Sequence, residues 1–185
     1  MKNIKNYNLD ELKEELVSLG EKPFRAEQIF KWLYVDKVKE FDEMTNISKN
    51  LRQKLEEECY ITTLSIRKKQ VSVDGTIKYL YQLQDGNCIE TVLMRYEHGN
   101  SICVSCQVGC GMACAFCQTG RLGFSRNLEP AEIVEQFQFL EETVGKLDNI
   151  VFMGMGEPLL NLSAIRKAVA VLTHPEGRNL SGRRI

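Results

Sequence analysis

Three observations make the sequence that of an α/β protein. Apolar residues recur at helical spacing through residues 1–60, β-forming residues crowd 61–98 around turn signals, and from residue 99 strand-like and helix-like segments alternate. The expected division is a small helical N-terminal domain over 1–60, a β-rich connector over 61–98, and βα units over 99–185.

In the front segment, Asn8 is a candidate N-cap, acids follow in the first turn, and Gly20 is a stop. Leu9, Leu12, Leu16 and Leu19 form one stripe. "RAEQIFKWLY" repeats the pattern with Ala26, Ile29, Phe30 and Leu33, and Trp32 and Tyr34 read as core aromatics rather than RNA-stacking ones. "ISKNLRQKLEEECY" gives a third helix with Ile47, Leu51 and Leu55 on one side. The next stretch carries "TTLSIRKKQVS" and "TIKYLYQLQ" on either side of Asp74-Gly75, a hairpin signal. After Asp85-Gly86-Asn87, "CIETVLMRY" reads as a third strand.

From residue 99, "SICVSC" is a buried strand that leads into a cysteine-rich loop. Pro130 opens a helix with Ile133, Val134, Phe137 and Leu140 inward. "DNIVFMG" suits a strand covered on both sides. "NLSAIRKAVAVLTH" is a helix with Leu162, Ile165, Val169 and Leu172 inward, and "SGRRI" looks like the approach to another strand. A full barrel of eight βα units needs about 250 residues. The expectation is therefore an N-terminal part of a longer protein, with an open parallel edge that must pair or aggregate.

Lys+Arg total 24 against Asp+Glu 25 over 185 residues, so net charge points to no nucleic acid, although a local basic patch would suffice for RNA. No stretch approaches the ~18 apolar residues of a membrane span, and "MKNIKNYNLDELKEEL" lacks a signal peptide's apolar run. The expected setting is the cytoplasm, with no membrane partner. In a reducing compartment the seven cysteines point to metal or catalysis rather than disulfides.

Cys110, Cys114 and Cys117 follow C-x3-C-x2-C, with Cys103 and Cys106 upstream. Structural zinc takes four ligands. A cubane cluster held by three thiolates keeps one iron open to a small molecule bearing an amine and a carboxylate. A zinc loop and three unrelated buried thiols are the plainer alternatives. Cys59 and Cys88 belong to no motif. His98 and His174 lack a metal-ligand partner at useful spacing and read as loop residues. In "FMGMGEP", Gly154 and Gly156 permit close approach to the backbone, and Glu157 can accept from an ammonium group. "IRKK" at 66–69 and "GRNLSGRR" at 177–184 are candidate phosphate contacts, though short basic runs are usually just solvated.

C-x3-C-x2-C with an aromatic, Phe116, before the last cysteine is similar to the signature of radical S-adenosylmethionine (SAM) enzymes. "CVSCQVGCGMACAFCQTGRLGFSRNL", "FMGMGEPLLN" and "KPFRAEQIFKWLY" together resemble the dual-specificity RNA adenine methyltransferase family over the whole chain. The resemblance implies a partial (β/α) barrel of the radical SAM type. It implies methylation of carbon 2 of an adenine in 23S ribosomal RNA, at the peptidyl-transferase centre, and of an adenine beside the anticodon in tRNA. The cofactors would be a four-iron–four-sulfur cluster on Cys110, Cys114 and Cys117, and SAM. Gly156 and Glu157 match the SAM-binding pair, Glu90 the proton acceptor, and Cys103 the cysteine of a transient disulfide. Taken alone, Glu90 is a solvent-facing strand residue and Cys103 a small buried one. A reductant such as flavodoxin or ferredoxin would supply the electron.

Carbon 2 of adenine is electron-poor, so the family works through a methyl-cysteine and a transient RNA–protein adduct. That methyl-carrying cysteine lies near the family's C-terminus and has no counterpart here, so this chain alone is expected not to complete methylation. Cys106 stands where many members have serine, as a neutral small residue or a spare ligand. A carbon-8 methyltransferase of the same ribosomal adenine and a zinc-stabilised RNA-binding module are the alternatives.

Overall fold

Asn8 starts the first helix: its side chain accepts from the Glu11 N–H at 2.9 Å, and the Glu11 carboxylate accepts from the Asn8 N–H at 3.1 Å. The computed structural model describes residues 1–97 and 99–185; His98, expected in a loop, lies outside the described residues. Strand β1 (Lys2–Asn3) precedes α1 (Leu9–Ser18), and α2 (Phe24–Lys31) and α3 (Lys49–Glu58) complete the helical front. Gly20 follows α1 with φ +82°, the left-handed conformation expected of a helix stop. Leu9, Leu12, Leu16, Ala26, Ile29, Phe30, Leu51 and Leu55 are buried as expected, each large side chain contributing about 1.5–3 kcal/mol of apolar transfer.

The helical expectations overrun at two ends. After Lys31 the chain widens into a π-helical turn, Trp32–Asp36, closed by Lys37 at φ 57°. The third helix stops at Glu58, and β2 (Cys59–Tyr60) pairs in parallel with β1, since a strand partner there outweighs continued helix. Tyr34 is buried and donates its hydroxyl to the Lys5 carbonyl, and Trp32 packs at the core's edge.

The β elements β3 (Ser65–Val71), β4 (Ile77–Gln82), β5 (Cys88–Tyr96), β6 (Gly99–Cys103) and β9 (Asn149–Val151) form one five-stranded sheet in the order β3-β4-β5-β6-β9. Pairing is antiparallel up to β6, and β6 then pairs in parallel with β9. The strands of the 61–98 stretch thus share a sheet with those of the βα units. β9 is the sheet's outer parallel strand, the open edge expected from the sequence. A small hairpin unforeseen in the sequence, β7 (Gln107–Gly109) with β8 (Phe124–Asn127), brackets the cysteine loop and the short α4 (Gln118–Arg121).

Helix α5 (Pro130–Val144) crosses from β6 to β9, and α6 (Leu162–Thr173) follows β9, giving the two expected βα units. Two end expectations change. Leu162 is 40% exposed rather than inward, while Ile165 and Leu172 are buried. Gly182–Arg184 is a 3-10 turn rather than a strand approach, and the Arg184 guanidinium donates to the Asp148 carboxylate at 3.2 Å. Among the described residues no helix is long and apolar enough to cross a membrane.

One hydrophobic core runs from Ile4 through the helical front, one face of the sheet, α5 and α6 to Leu180. Tyr79, Tyr81, Ile89, Thr91, Leu93 and Ile102 fill that face. The opposite face, with Lys78, Glu90, Val92 and Cys103, stays half-exposed.

The helical front is locked to α5 by a buried ion pair. The Lys5 ammonium donates to the Glu135 carboxylate and, at 2.7 Å, to Gln138 Oε1, while Gln138 Nε2 donates to the Leu33 carbonyl. Side-chain exposure is 4% for Lys5 and 8% for Glu135. Burial pushes the Glu135 carboxyl up, against the pull of Lys5. Lys5→Met strands a buried carboxylate and is expected to cost roughly 3–5 kcal/mol in urea unfolding. Adding Glu135→Leu is expected to recover most of that loss; a Lys5→Met cost below about 1 kcal/mol would contradict the buried pair.

Candidate metal and cofactor site

Parallel strands β6 and β9 end side by side. Their last residues, Cys103 and Val151, are register partners, so the chain after each leaves at the same carboxyl edge. That edge is where open α/β sheets hold ligands. The segment after β6 carries the cysteines, and the segment after β9 is 152–158.

These two segments are laced together. The Gly154 N–H donates to the Val104 carbonyl at 3.1 Å, and the Met155 carbonyl accepts from Cys106 N–H at 2.9 Å and Gln107 N–H at 3.2 Å. Gln107 Oε1 accepts from the Glu157 N–H at 2.9 Å. A Cβ on Gly154 would sit 2.6 Å from the Val104 carbonyl oxygen. At Gly156, φ is +103° and a Cβ would lie 2.6 Å from Gln107 Cβ and Cγ. The close approach that these glycines allow is therefore the chain's own, between 104–107 and 154–157. Glu157 caps the 3-10 turn after it, with Oε1 accepting from the Leu159 N–H at 3.1 Å.

Ser105, Gln107, Gln136 and Asn161 organise this edge, and none stands out in the sequence as a site residue. Buried Ser105 donates its hydroxyl to the Glu90 carbonyl at 2.5 Å and accepts from the Met155 N–H at 2.9 Å. Gln136, wholly buried on α5, accepts from the Ser105 N–H and Thr91 hydroxyl and donates to the Ser105 carbonyl. Asn161 Nδ2 donates to the Cys106 and Leu128 carbonyls, both at 2.8 Å. The one available signal was an amide, Gln136, inside the apolar stripe Ile133–Val134–Phe137.

The cysteine loop is anchored at one end, where the Cys110 N–H donates to the Gly123 carbonyl at 2.9 Å. Cys110 is buried, Cys114 and Cys117 are half-buried, and all three are free thiols. Ala113 takes φ 49°, and Gly120 lies against the Cys114 backbone, where a Cβ would meet its N at 3.0 Å. The Gly120 N–H, helped by Thr119, holds the Cys117 thiol below the ordinary range, which favours thiolate. Among the described residues no three His, Cys, Asp or Glu side chains already converge as a metal-binding group. The donor set still suits a cluster: three free thiols on one exposed loop, whose Phe116 is 91% exposed.

Burial, with Glu157 and Cys110 nearby, pushes the Cys106 thiol up to about 12. Glu90 and Cys103 share the open face: Glu90 lies two residues from Val92, the register partner of Cys103. Glu90 also pairs with the Lys78 ammonium at 2.9 Å. Burial raises the Cys103 thiol. His174 caps α6 with its ring edge-on to Phe30, and Cys59 is buried within β2.

Comparison with known proteins places this geometry. The family described as ribosomal RNA large subunit methyltransferase N-terminal domain matches residues 2–61, and the radical SAM superfamily matches residues 104–185. The probable dual-specificity RNA methyltransferase RlmN of Bacillus velezensis is 49% identical over 99% of this chain and 52% of its own length. Its counterpart from Bacillus subtilis is 47% identical over the same shares. A crystal structure of a radical SAM methyltransferase from Sphaerobacter thermophilus superposes with a TM-score of 0.89 at 41% identity, covering all of this chain and 56% of that one. The chain spans about half the length of the curated relatives it matches, and the observed α/β architecture is that of a partial radical SAM fold. With one family model matching its helical front and the other its cysteine edge, the chain is similar along its whole length to the N-terminal half of dual-specificity RNA methyltransferases of the radical SAM type.

Proposed function

We propose that this chain carries the cofactor-binding half of a radical SAM enzyme that methylates carbon 2 of adenine in 23S ribosomal RNA and tRNA. The observation that carries the proposal is the shared carboxyl edge, where the cysteine loop and the Gly156-Glu157 segment leave adjacent parallel strands. Carbon 2 is favoured by the helical front, which matches a ribosomal RNA methyltransferase family, and by the dual-specificity RNA methyltransferase names of the relatives.

The family works with a four-iron–four-sulfur cluster and SAM. When bound, that pair supplies one-electron cleavage of a carbon–sulfur bond. Cys110, Cys114 and Cys117 would hold the cluster through three thiolates. Gly156 keeps the backbone beside Gln107 free of a side chain, and Glu157 offers a carboxylate oxygen to an ammonium group. Glu90, on the open face, would accept the proton lost from the ring. Cys103, on the same face, would supply the thiol that closes a disulfide once the adduct is resolved. The division into 1–60, 61–98 and 99–185 belongs to the proposal, as do a flavodoxin- or ferredoxin-like reductant and a cytoplasmic setting.

Strictly anaerobic reconstitution tests the cluster. The chain is expected to turn brown and hold about four iron and four sulfide, with a reducible paramagnetic signal, and any one of Cys110→Ala, Cys114→Ala or Cys117→Ala should remove most of it. A colourless, zinc-containing, sulfide-free product contradicts the proposal.

Two further variants separate grip from scaffold. Glu157→Gln is expected to weaken SAM binding to the reconstituted chain by roughly tenfold or more in equilibrium dialysis, with unfolding little changed. Gly156→Ala, forced into a left-handed conformation against Gln107, is expected to cost roughly 1–3 kcal/mol of stability before any cofactor is added.

A further inference from the structure

All seven residues of β3 are exposed, and β3 is the outer antiparallel strand of the sheet. Arg67, Lys68 and Lys69 lie consecutively on it, and residues 65–73 contain no carboxylate. Elsewhere Lys2, Lys13, Lys37, Lys39, Lys146 and Lys167 each have a carboxylate within 3.3 Å. Among the described residues, Arg67, Lys68 and Lys69 have none within ion-pair distance. In a chain of balanced charge, this is a local cationic strip.

The register fixes where the strip points. Lys68 pairs with Leu80, and Leu80 with Glu90, so Lys68 and Glu90 share the open face. Lys69 pairs with Tyr79 and lies over its ring at 5.7 Å, on the opposite face. Arg67 falls at the irregularity between Ile66 and Lys68, which adds twist to the edge. At a strand spacing of about 4.8 Å, the backbone of Lys68 lies about 10 Å from that of Glu90. Lysines on an edge strand also discourage pairing with other sheets. That purpose needs one charge and explains neither three in succession nor their presence on both faces.

We propose that β3 is a docking edge for the phosphate backbone of a single-stranded RNA segment, gripped by Arg67, Lys68 and Lys69. The proposal rests on the RNA-modifying function proposed above. A backbone running along this edge can turn one unpaired base over the open face toward Glu90 and Cys103, as enzymes acting on a base require. Its contacts are to phosphate, so they position the strand without reading its sequence.

The test uses the chain as it stands and needs no cofactor. A fluorescently labelled RNA hairpin with an unpaired adenine in its loop is titrated by anisotropy between about 50 and 200 mM salt, the range over which phosphate contacts register strongly. The triple variant R67S/K68S/K69S is expected to fold normally by circular dichroism. Its log–log salt slope should be smaller by about 2, from three lost contacts to single-stranded phosphates. The control triple K22S/K31S/K49S, on exposed positions of the helical front, should keep the slope of the unaltered chain. Equal losses in both triples, or an unchanged slope in R67S/K68S/K69S, overturn the docking edge while leaving RNA as the proposed substrate. Absence of salt-dependent RNA binding in the unaltered chain also overturns it. If poly-glutamate binding depends on the three residues and RNA binding does not, the edge serves an acidic protein and the RNA assignment fails.

Discussion

The structure depends on a close backbone approach at the carboxyl edge of the sheet. Two parallel strands end in register at Cys103 and Val151, and the segments beyond them continue to bond as they leave the sheet. The Met155 carbonyl takes two N–H donors from the cysteine segment, and Gln107 returns one through its side chain. Such lacing works only where side chains are absent, which is the requirement that Gly154 and Gly156 meet. It fixes the Gly-Glu-Pro segment beside the root of the cysteine loop while the loop's tip stays exposed. A base held on paired strands is the kind of rigid support that the proposed cluster site requires.

Helix α5 carries that order to the rest of the molecule. Neighbouring positions on it look in opposite directions. Glu135 and Gln138 take up Lys5 of the helical front, and Gln136 clamps the backbone of Ser105. Ser105 in turn joins the strand of Glu90 to the segment of Gly156 through one hydroxyl. A buried polar chain of this kind is worth most when every member is satisfied, and each link named here has its partner. The helical front is thereby coupled to the site through packed, hydrogen-bonded contacts rather than through a hinge.

Much of this was legible in the sequence where local chemistry decides. The Asn8 N-cap, the Asp74-Gly75 hairpin turn and the Pro130 helix start depend on a few neighbouring residues. The strand "CIETVLMRY" matches β5 from end to end because its alternation reports one covered face. Long-range partners decided what was missed. Cys59 and Tyr60 leave the helical pattern because β1, far back in the chain, offers a strand partner. The β7–β8 hairpin spans the cysteine loop and rests on pairing across it. In the site, the cysteine spacing and the glycines were visible, but the glycines' partner was not, because Gln107 and Val104 reach them only through the parallel register. Ser105 and Gln136 carry no motif, since a serine in a strand and a glutamine in a helix are common.

Amide hydrogen exchange at this edge tests the account most directly. The amides of Met155, Cys106, Gln107 and Glu157 should exchange as slowly as those in the paired parts of β6 and β9, while the cysteine-loop tip exchanges fast. Exchange of those four amides at the loop tip's rate would mean that the two segments are not held together, and the site would lose its base.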